Sequence, residues 1–150
     1  MHAFYDRVTD RARRAMEFAN YWALRKKHRL VTNLHILWGI LEEGHNTASK
    51  VLGDMQVDLR KLQQEVVLLL GEGDYATHDK AVCYSEEVRQ CICDAISLGL
   101  EGPVVLIGCH HLILAMLVGP ANPAAELLDR WGVTQELTNA HVRAIVKPVL

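Results

Sequence analysis

Three adjacent residues, Cys109, His110 and His111, carry the side chains with the clearest potential for chemistry in this chain. A thiol and an imidazole can bind zinc, or can act together as nucleophile and base. The triplet opens the apolar run LILAML, so the alternative is the first turn of a buried helix. Adjacent residues on a helix diverge by about 100°, so His110 and His111 cannot easily share one ion. The spacing also lacks the paired ligands of a structural zinc site.

Other catalytic patterns are missing from the sequence. It contains no G-x-S-x-G elbow, no H-E-x-x-H and no phosphate-binding G-x-x-x-x-G-K-[ST] loop. Cys91 and Cys93 would point about 200° apart on a helix, which makes them a poor metal clip. A thiol or metal site that joins Cys109 to His110 or His78 stays open as an alternative, since such pairs form in space. We otherwise expect no catalytic residue, no metal ligand and no cofactor.

Composition indicates one folded domain spanning residues 1–150. Half of the residues are hydrophobic and the formal net charge is −2, which gives no basic footprint of nucleic-acid binding. No segment approaches the roughly 18 to 20 uninterrupted apolar residues that a spanning helix needs. The first residues have no hydrophobic core of the signal-peptide type. We therefore expect a cytoplasmic protein with reduced cysteines and neither nucleic acid nor membrane as a partner.

The chain repeats itself. Residues 9–66 can be laid over residues 85–142 at a constant offset of 76 without a gap, and the apolar positions are preserved. The identical pairs include Arg13 with Arg89, Ala19 with Ala95, Leu24 with Leu100, Leu30 with Leu106, His35 with His111, Leu41 with Leu117, and Asn46 with Asn122. Such a register predicts two pseudo-symmetric halves, one over about residues 4–70 and the other over about residues 83–147.

Each half is predicted to contain four helices, so the fold is all-α with about eight helices. The second helix of each half is apolar nearly all round and should be central. The glycine-rich and charged segment 71–82 is predicted to be an exposed linker, and no segment alternates as a strand would. The expected helix caps are Thr9 and Ser85, Asn46 and Asn122, and Asp58 and Thr134.

The repeat bears on the opening triplet. His111 is the counterpart of His35, and a histidine at the same place in both halves indicates a structural role, with the ring orienting the second helix. Cys109 and His110 have no equivalent thiol or imidazole in the first half. The triplet is therefore interpreted mainly as the start of a core helix, with Cys109 and His110 facing the surface.

Two further sets of residues have competing interpretations. Glu42 and Glu43 precede a glycine and are expected to be a solvated helix end. Trp22, Trp38 and Trp131 could be contact residues for a partner. Each lies on an apolar stripe or at a helix end, so packing in the core is favoured.

The segments TDRARRAMEFAN, LHILWGILEEGHNTASKVLGDMQVDLRKLQQEV and LIGCHHLILAML resemble the double Clp-N motif over about residues 4–147. That motif forms the N-terminal domain of Clp-family AAA+ unfoldases such as ClpA and ClpC. The resemblance implies a domain that receives protein substrates and adaptor proteins for an attached ATPase ring. With no nucleotide-binding loop, these 150 residues should not hydrolyse ATP. The chain is expected to be either the front end of an unfoldase or a free-standing accessory protein that docks on Clp machinery.

The chain departs from the family at one motif. In ClpC-type relatives, the threonine and glutamate of G-T-E-H contribute to recognising phosphorylated arginine. Asn33 and Leu34 occupy those positions in the first half, and Cys109 and His110 in the second. Without the carboxylates that would pair with a guanidinium group, we expect no phosphoarginine recognition. The four positions remain candidates for protein or peptide binding through a more apolar surface, and the alternative is drift at positions no longer used.

Overall fold

The computed structural model describes residues 6–75, 82–100 and 106–145. These residues form eight helices and two short strands, so the all-α prediction is confirmed. In chain order the elements are α1 Asp10–Arg25, β1 Leu30–Val31, α2 Asn33–Glu43, α3 Thr47–Asp54, α4 Leu59–Leu70, β2 Cys83–Tyr84, α5 Glu86–Gly99, α6 Cys109–Val118, α7 Pro123–Arg130 and α8 Gln135–Ile145. None of these helices is long and apolar enough to cross a membrane alone, although α6 and α7, bent at 97°, pass that test as a pair.

Short polar side chains fix the helix starts, as the sequence predicts. The Thr9 hydroxyl accepts the backbone N–H of Ala12 at 3.0 Å, and the Asn46 side chain accepts that of Ser49 at 2.8 Å. Ser85, Asp58 and Asn122 do the same for α5, α4 and α7. Each cap satisfies a backbone donor that the helix itself leaves unpaired.

Two short parallel pairings join the halves, and the sequence did not predict them. Strands β1 and β2 pair with Val31 opposite Tyr84, and Val8 bridges Ile107. At the repeat offset Val8 corresponds to Tyr84 and Val31 to Ile107, so the two pairings are equivalent. Strands of two residues are too short to show an alternating pattern. The pairings bring the start of each first helix beside the start of the other half's second helix.

Helix α2 is the centre of the first half, because nearly all of its residues are buried. It packs against α1 and α4 of its own half and against α7 of the other. Helix α6 has the equivalent neighbours α5, α8 and α3. Trp38 is buried and stacks on Trp22 with ring centroids 4.3 Å apart. The halves are further tied by the Trp131 indole N–H, which donates to Glu65 at 2.9 Å.

The first residues after α4 run beside the end of α1. The backbone N–H of Gly73 donates to the Lys26 carbonyl at 2.8 Å, and that of Tyr75 to the Lys27 carbonyl at 3.1 Å. Lys26 also forms an ion pair with Glu72 at 3.0 Å. Residues 76–81 of the expected linker lie outside the described residues, so its full extent stays a prediction.

Candidate functional site

Two clefts lie between the halves, at places related by the repeat. The first, named the acidic cleft, is lined by Asn33, Glu86, Glu87, Gln90 and Asp94 together with Cys91, Ala115 and residues 119–122. The second, named the Arg11 cleft, is lined by Thr9, Asp10, Arg11, Asn46, Thr47, Gly108, Cys109 and His110. In each, the start of one half's second helix faces the start of the other half's first helix. The strand pairings described above create this juxtaposition.

A buried carboxylate, which sequence analysis expected to be solvated, contacts Arg11 and Asn46 behind the Arg11 cleft. The side chain of Glu43 is 2% exposed and pairs with Arg11 at 3.2 Å. It also accepts the His45 backbone N–H at 3.0 Å and the Asn46 amide at 3.1 Å. The expectation of a solvated Glu43 was therefore wrong. Burial is tolerated because a cation and two further donors satisfy the carboxylate.

Cys109 also lies in this cleft wall, and the expectation that it faces the surface was wrong. It is 2% exposed, and it lies close enough to Glu43 and Arg11 for their charges to act on its thiol. Burial, and then the negative charge of Glu43, raise the pKa of the Cys109 thiol to about 12. A nucleophile or metal ligand needs the thiolate, so this environment does not suit the thiol alternative. Within the described residues no three His, Cys, Asp or Glu side chains are grouped to hold a metal ion, and His78 lies outside them.

His110 is half-buried at the edge of the Arg11 cleft. Burial, and then the neighbouring His111, lower the pKa of His110 to about 4, so the ring is neutral at pH 7. The two rings lie with centroids 4.0 Å apart. Nδ1 of His110 is buried and has no hydrogen-bond partner in the described part of the chain.

Asn33 and Leu34, the repeat counterparts of Cys109 and His110, are the first two residues of helix α2, and both are buried. The backbone N–H of Asn33 donates to the Glu87 carboxylate at 3.4 Å, while Oδ1 of Asn33 has no partner among the described residues. Leu34 faces a third depression, also bordered by Glu87. We name it the apolar groove, after its apolar side chains Leu30, Leu34, Leu69, Leu70 and Pro123.

His35 and His111 close the first turns of α2 and α6. Nδ1 of His35 accepts the Thr32 backbone N–H at 2.9 Å, and Nδ1 of His111 accepts that of Gly108 at 2.9 Å. A backbone N–H can only donate, so the proton of neutral His35 is on Nε2, which lies 2.9 Å from Nδ1 of His28. Burial, and then His28, lower the pKa of His35 to about 4.

The acidic cleft differs in charge from its counterpart, whose two charged lining residues, Asp10 and Arg11, are opposite in sign. Glu86, Glu87 and Asp94 line it, and none of its lining residues is a lysine or arginine. Burial, and then the charges of Asp94 and Glu87, raise the pKa of Cys91 to about 12. Sequence analysis did not predict this acidic cluster. A signal was available, because Glu87 is the repeat counterpart of Arg11, so the charge at this position is reversed between the halves.

The chain is thus an all-helical domain built from two similar halves. The chain belongs to the Clp repeat (R) N-terminal domain family, whose pattern matches residues 7–95. In this family the domain is a non-catalytic interaction domain. The match ends within α5, so the later helices are assigned to the domain by the repeat register and the fold.

Relatives and solved structures agree with the assignment. The chain is 27% identical over 130 residues to the Bacillus subtilis negative regulator of genetic competence ClpC/MecB, a match that covers 87% of this chain and 16% of that protein. It therefore spans about a sixth of the length of the curated relatives. The N-terminal domain of Arabidopsis thaliana ClpD matches at TM-score 0.70 with 18% identity, covering 93% of this chain and 95% of that one. The ClpV N-domain in complex with a VipB peptide matches at TM-score 0.77 with 17% identity, covering 95% and 89%.

Proposed function

We propose that this chain is a protein-binding domain that recruits substrates or adaptor proteins to a Clp AAA+ unfoldase in the cytoplasm. The observation that carries the proposal is the pair of clefts between the halves of a Clp N-domain. A domain of the same fold has been solved with a peptide of a partner protein. Clefts lined by two different halves can hold a peptide without any chemical step, because recognition needs only complementary shape and polar groups.

The proposed contact surface surrounds the starts of α2 and α6. Asn33, Leu34 and Cys109 are buried and form walls of the depressions, while His110 adds a half-buried neutral ring. Their neighbours His35 and His111 hold the same helix starts in place through backbone hydrogen bonds. The chain would thus bind through side chains that the fold already orders, which lowers the entropic cost of binding.

Phosphoarginine is not part of the proposed ligand. Leu34 and neutral His110 offer no carboxylate where ClpC-type relatives have glutamate. In the acidic cleft, the carboxylates of Glu86 and Glu87 would repel a phosphate group. A phosphoarginine peptide should therefore bind no better than its unmodified form.

An array of short peptides of varied composition tests the proposal, with hits measured by fluorescence anisotropy on the whole chain. Ala121 is exposed at the edge of the acidic cleft, so Ala121→Trp should obstruct it and weaken binding by about tenfold. Ala140→Trp, on an exposed position of α8, is the matched control. The proposal is wrong if no peptide binds. If the two tryptophan variants bind every hit equally well, the acidic cleft is not the binding surface.

A further inference from the structure

We propose that the acidic cleft binds the cationic side chain of an arginine or lysine in a partner peptide, with an apolar neighbour of that residue in the apolar groove. The inference rests on the proposed function and names its ligand chemistry. It assigns one occupant to two adjoining depressions that share Glu87 as a wall.

The charge of the cleft is uncompensated. Glu86, Glu87 and Asp94 all line it, and none of them pairs with a lysine or arginine in the described chain. Glu87 is partly engaged, because it accepts the Asn33 backbone N–H at 3.4 Å. Among the described residues, Asp94 accepts a hydrogen bond only from the neutral amide of Gln90, at 3.0 Å. Glu86 and Asp94 are therefore the carboxylates most available to a bound cation.

A second observation indicates that the ligand of the acidic cleft carries a hydrogen-bond donor. Asn33 is 2% exposed, lines the cleft and keeps its Oδ1 without a hydrogen-bond partner among the described residues. A buried acceptor without a donor is costly, so most such groups in folded proteins are satisfied. Guanidinium and ammonium groups carry several N–H donors and no acceptor. A cationic side chain would satisfy Asn33 and the carboxylates together.

The size of the cleft favours a side chain over a whole small molecule. Its volume is about 240 Å³, below the range of roughly 300 to 1,000 Å³ that is typical of small-molecule pockets. Beside it, Leu30 is 40% exposed and Leu69 is 50% exposed. These apolar side chains could cover a leucine or isoleucine of the same peptide.

The two clefts differ in a way that predicts one cation site per chain. Arg11, the counterpart of Glu87, already supplies a cation to the other cleft, where it pairs with buried Glu43 at 3.2 Å. A second cation in the Arg11 cleft would therefore lie near the positive charge of Arg11 and be repelled by it. Asp10, the counterpart of Glu86, provides a carboxylate for a matched control substitution.

The test uses fluorescein-labelled peptides that contain Leu-Leu-Arg-Leu, the same sequence with lysine, and the same sequence with citrulline. Citrulline has nearly the shape of arginine without its charge. The Arg and Lys peptides should bind about tenfold more tightly than the citrulline peptide, and their advantage should shrink at high ionic strength. The double variant Glu86→Gln, Asp94→Asn should lose most of the preference, while Asp10→Asn keeps it. Circular dichroism checks that both variants fold.

The possible failures are distinguishable. If the three peptides bind equally well, or if the double variant keeps the preference, the cation site is wrong while peptide binding stands. If neither these peptides nor any from the array bind, the proposed function itself fails. If Asp10→Asn removes the preference and the double variant does not, the cation lies in the Arg11 cleft and the assignment is overturned.

Discussion

An alanine at Gly39 should destabilise the domain, because helices α1 and α2 meet backbone to backbone at this residue. A Cβ atom built on Gly39 would overlap the carbonyl oxygen of Ala15 and lie 3.1 Å from both the Ala15 carbonyl carbon and the Ala19 nitrogen. These are backbone atoms and cannot rotate away as a flexible side chain would. The two helices would have to move apart, and α2 carries Asn33 and Leu34 at its start.

The size of the effect follows from two opposed terms. Overpacking a close contact costs about 1 to 3 kcal/mol, or somewhat more where backbone must move. Replacing glycine by alanine within a helix returns up to about 1 kcal/mol. The expected net loss for Gly39→Ala is about 2 kcal/mol of unfolding free energy. For a domain of this size, that corresponds to a fall in Tm of about 4 to 8 °C.

Gly53 is the matched control, since it also lies within a helix but has no atom within 4 Å of an added Cβ. Gly53→Ala should raise the unfolding free energy by up to about 1 kcal/mol. Urea unfolding of both variants, followed by far-UV circular dichroism, measures the two changes. If Gly39→Ala is as stable as the parent, or if both variants shift in the same direction, the close approach of α1 and α2 is refuted.

Three further predictions concern burial. Asn46→Ala should cost about 2 kcal/mol in urea unfolding, because it removes the cap of α3 and two donated hydrogen bonds, one to Glu43; an unchanged midpoint would contradict this. His35 and His110 have a pKa of about 4 when folded, below about 6.5 when unfolded. The unfolded state therefore binds protons first as pH falls, and the free energy of unfolding should drop between about pH 6.5 and pH 4 by on the order of 3 kcal/mol for each ring. Replacing His110 with glutamine should reduce the slope of unfolding free energy against pH, and an unchanged slope would refute the low pKa of His110. In a thiol titration with Ellman's reagent, the exposed Cys83 and Cys93 should react in the native state, and the buried Cys91 and Cys109 only on unfolding. Rapid reaction of Cys109 in the native state would restore the thiol-site alternative.

Much of the fold could be predicted from the sequence, because its signals are local. Caps such as Thr9 and Asn46 act on a backbone donor three residues away. The apolar run of α2 identifies a buried helix wherever it packs. The gapless repeat then extends these assignments from one half to the other. Short pairings such as Val8 with Ile107 escaped notice because they join residues that are distant in sequence.

The candidate site was only partly predictable. The resemblance to the Clp-N motif identified Leu34 and His110 as candidate binding residues, and each borders a depression in the structure. Sequence analysis misjudged Glu43, because the burial of that carboxylate depends on Arg11, which approaches from another helix. It also gave no hint that Asn33 opposes Glu87, which lies in the other half.

The sequence by itself therefore determined the helices, their caps and the twofold repetition, since each depends on neighbours along one chain segment. Only the tertiary structure decided which surfaces of the two halves face one another, and with them which charged side chains line each cleft. Electrostatic character depends on distance in space. Asp94 and Glu86 come to oppose Asn33 only once the halves have packed.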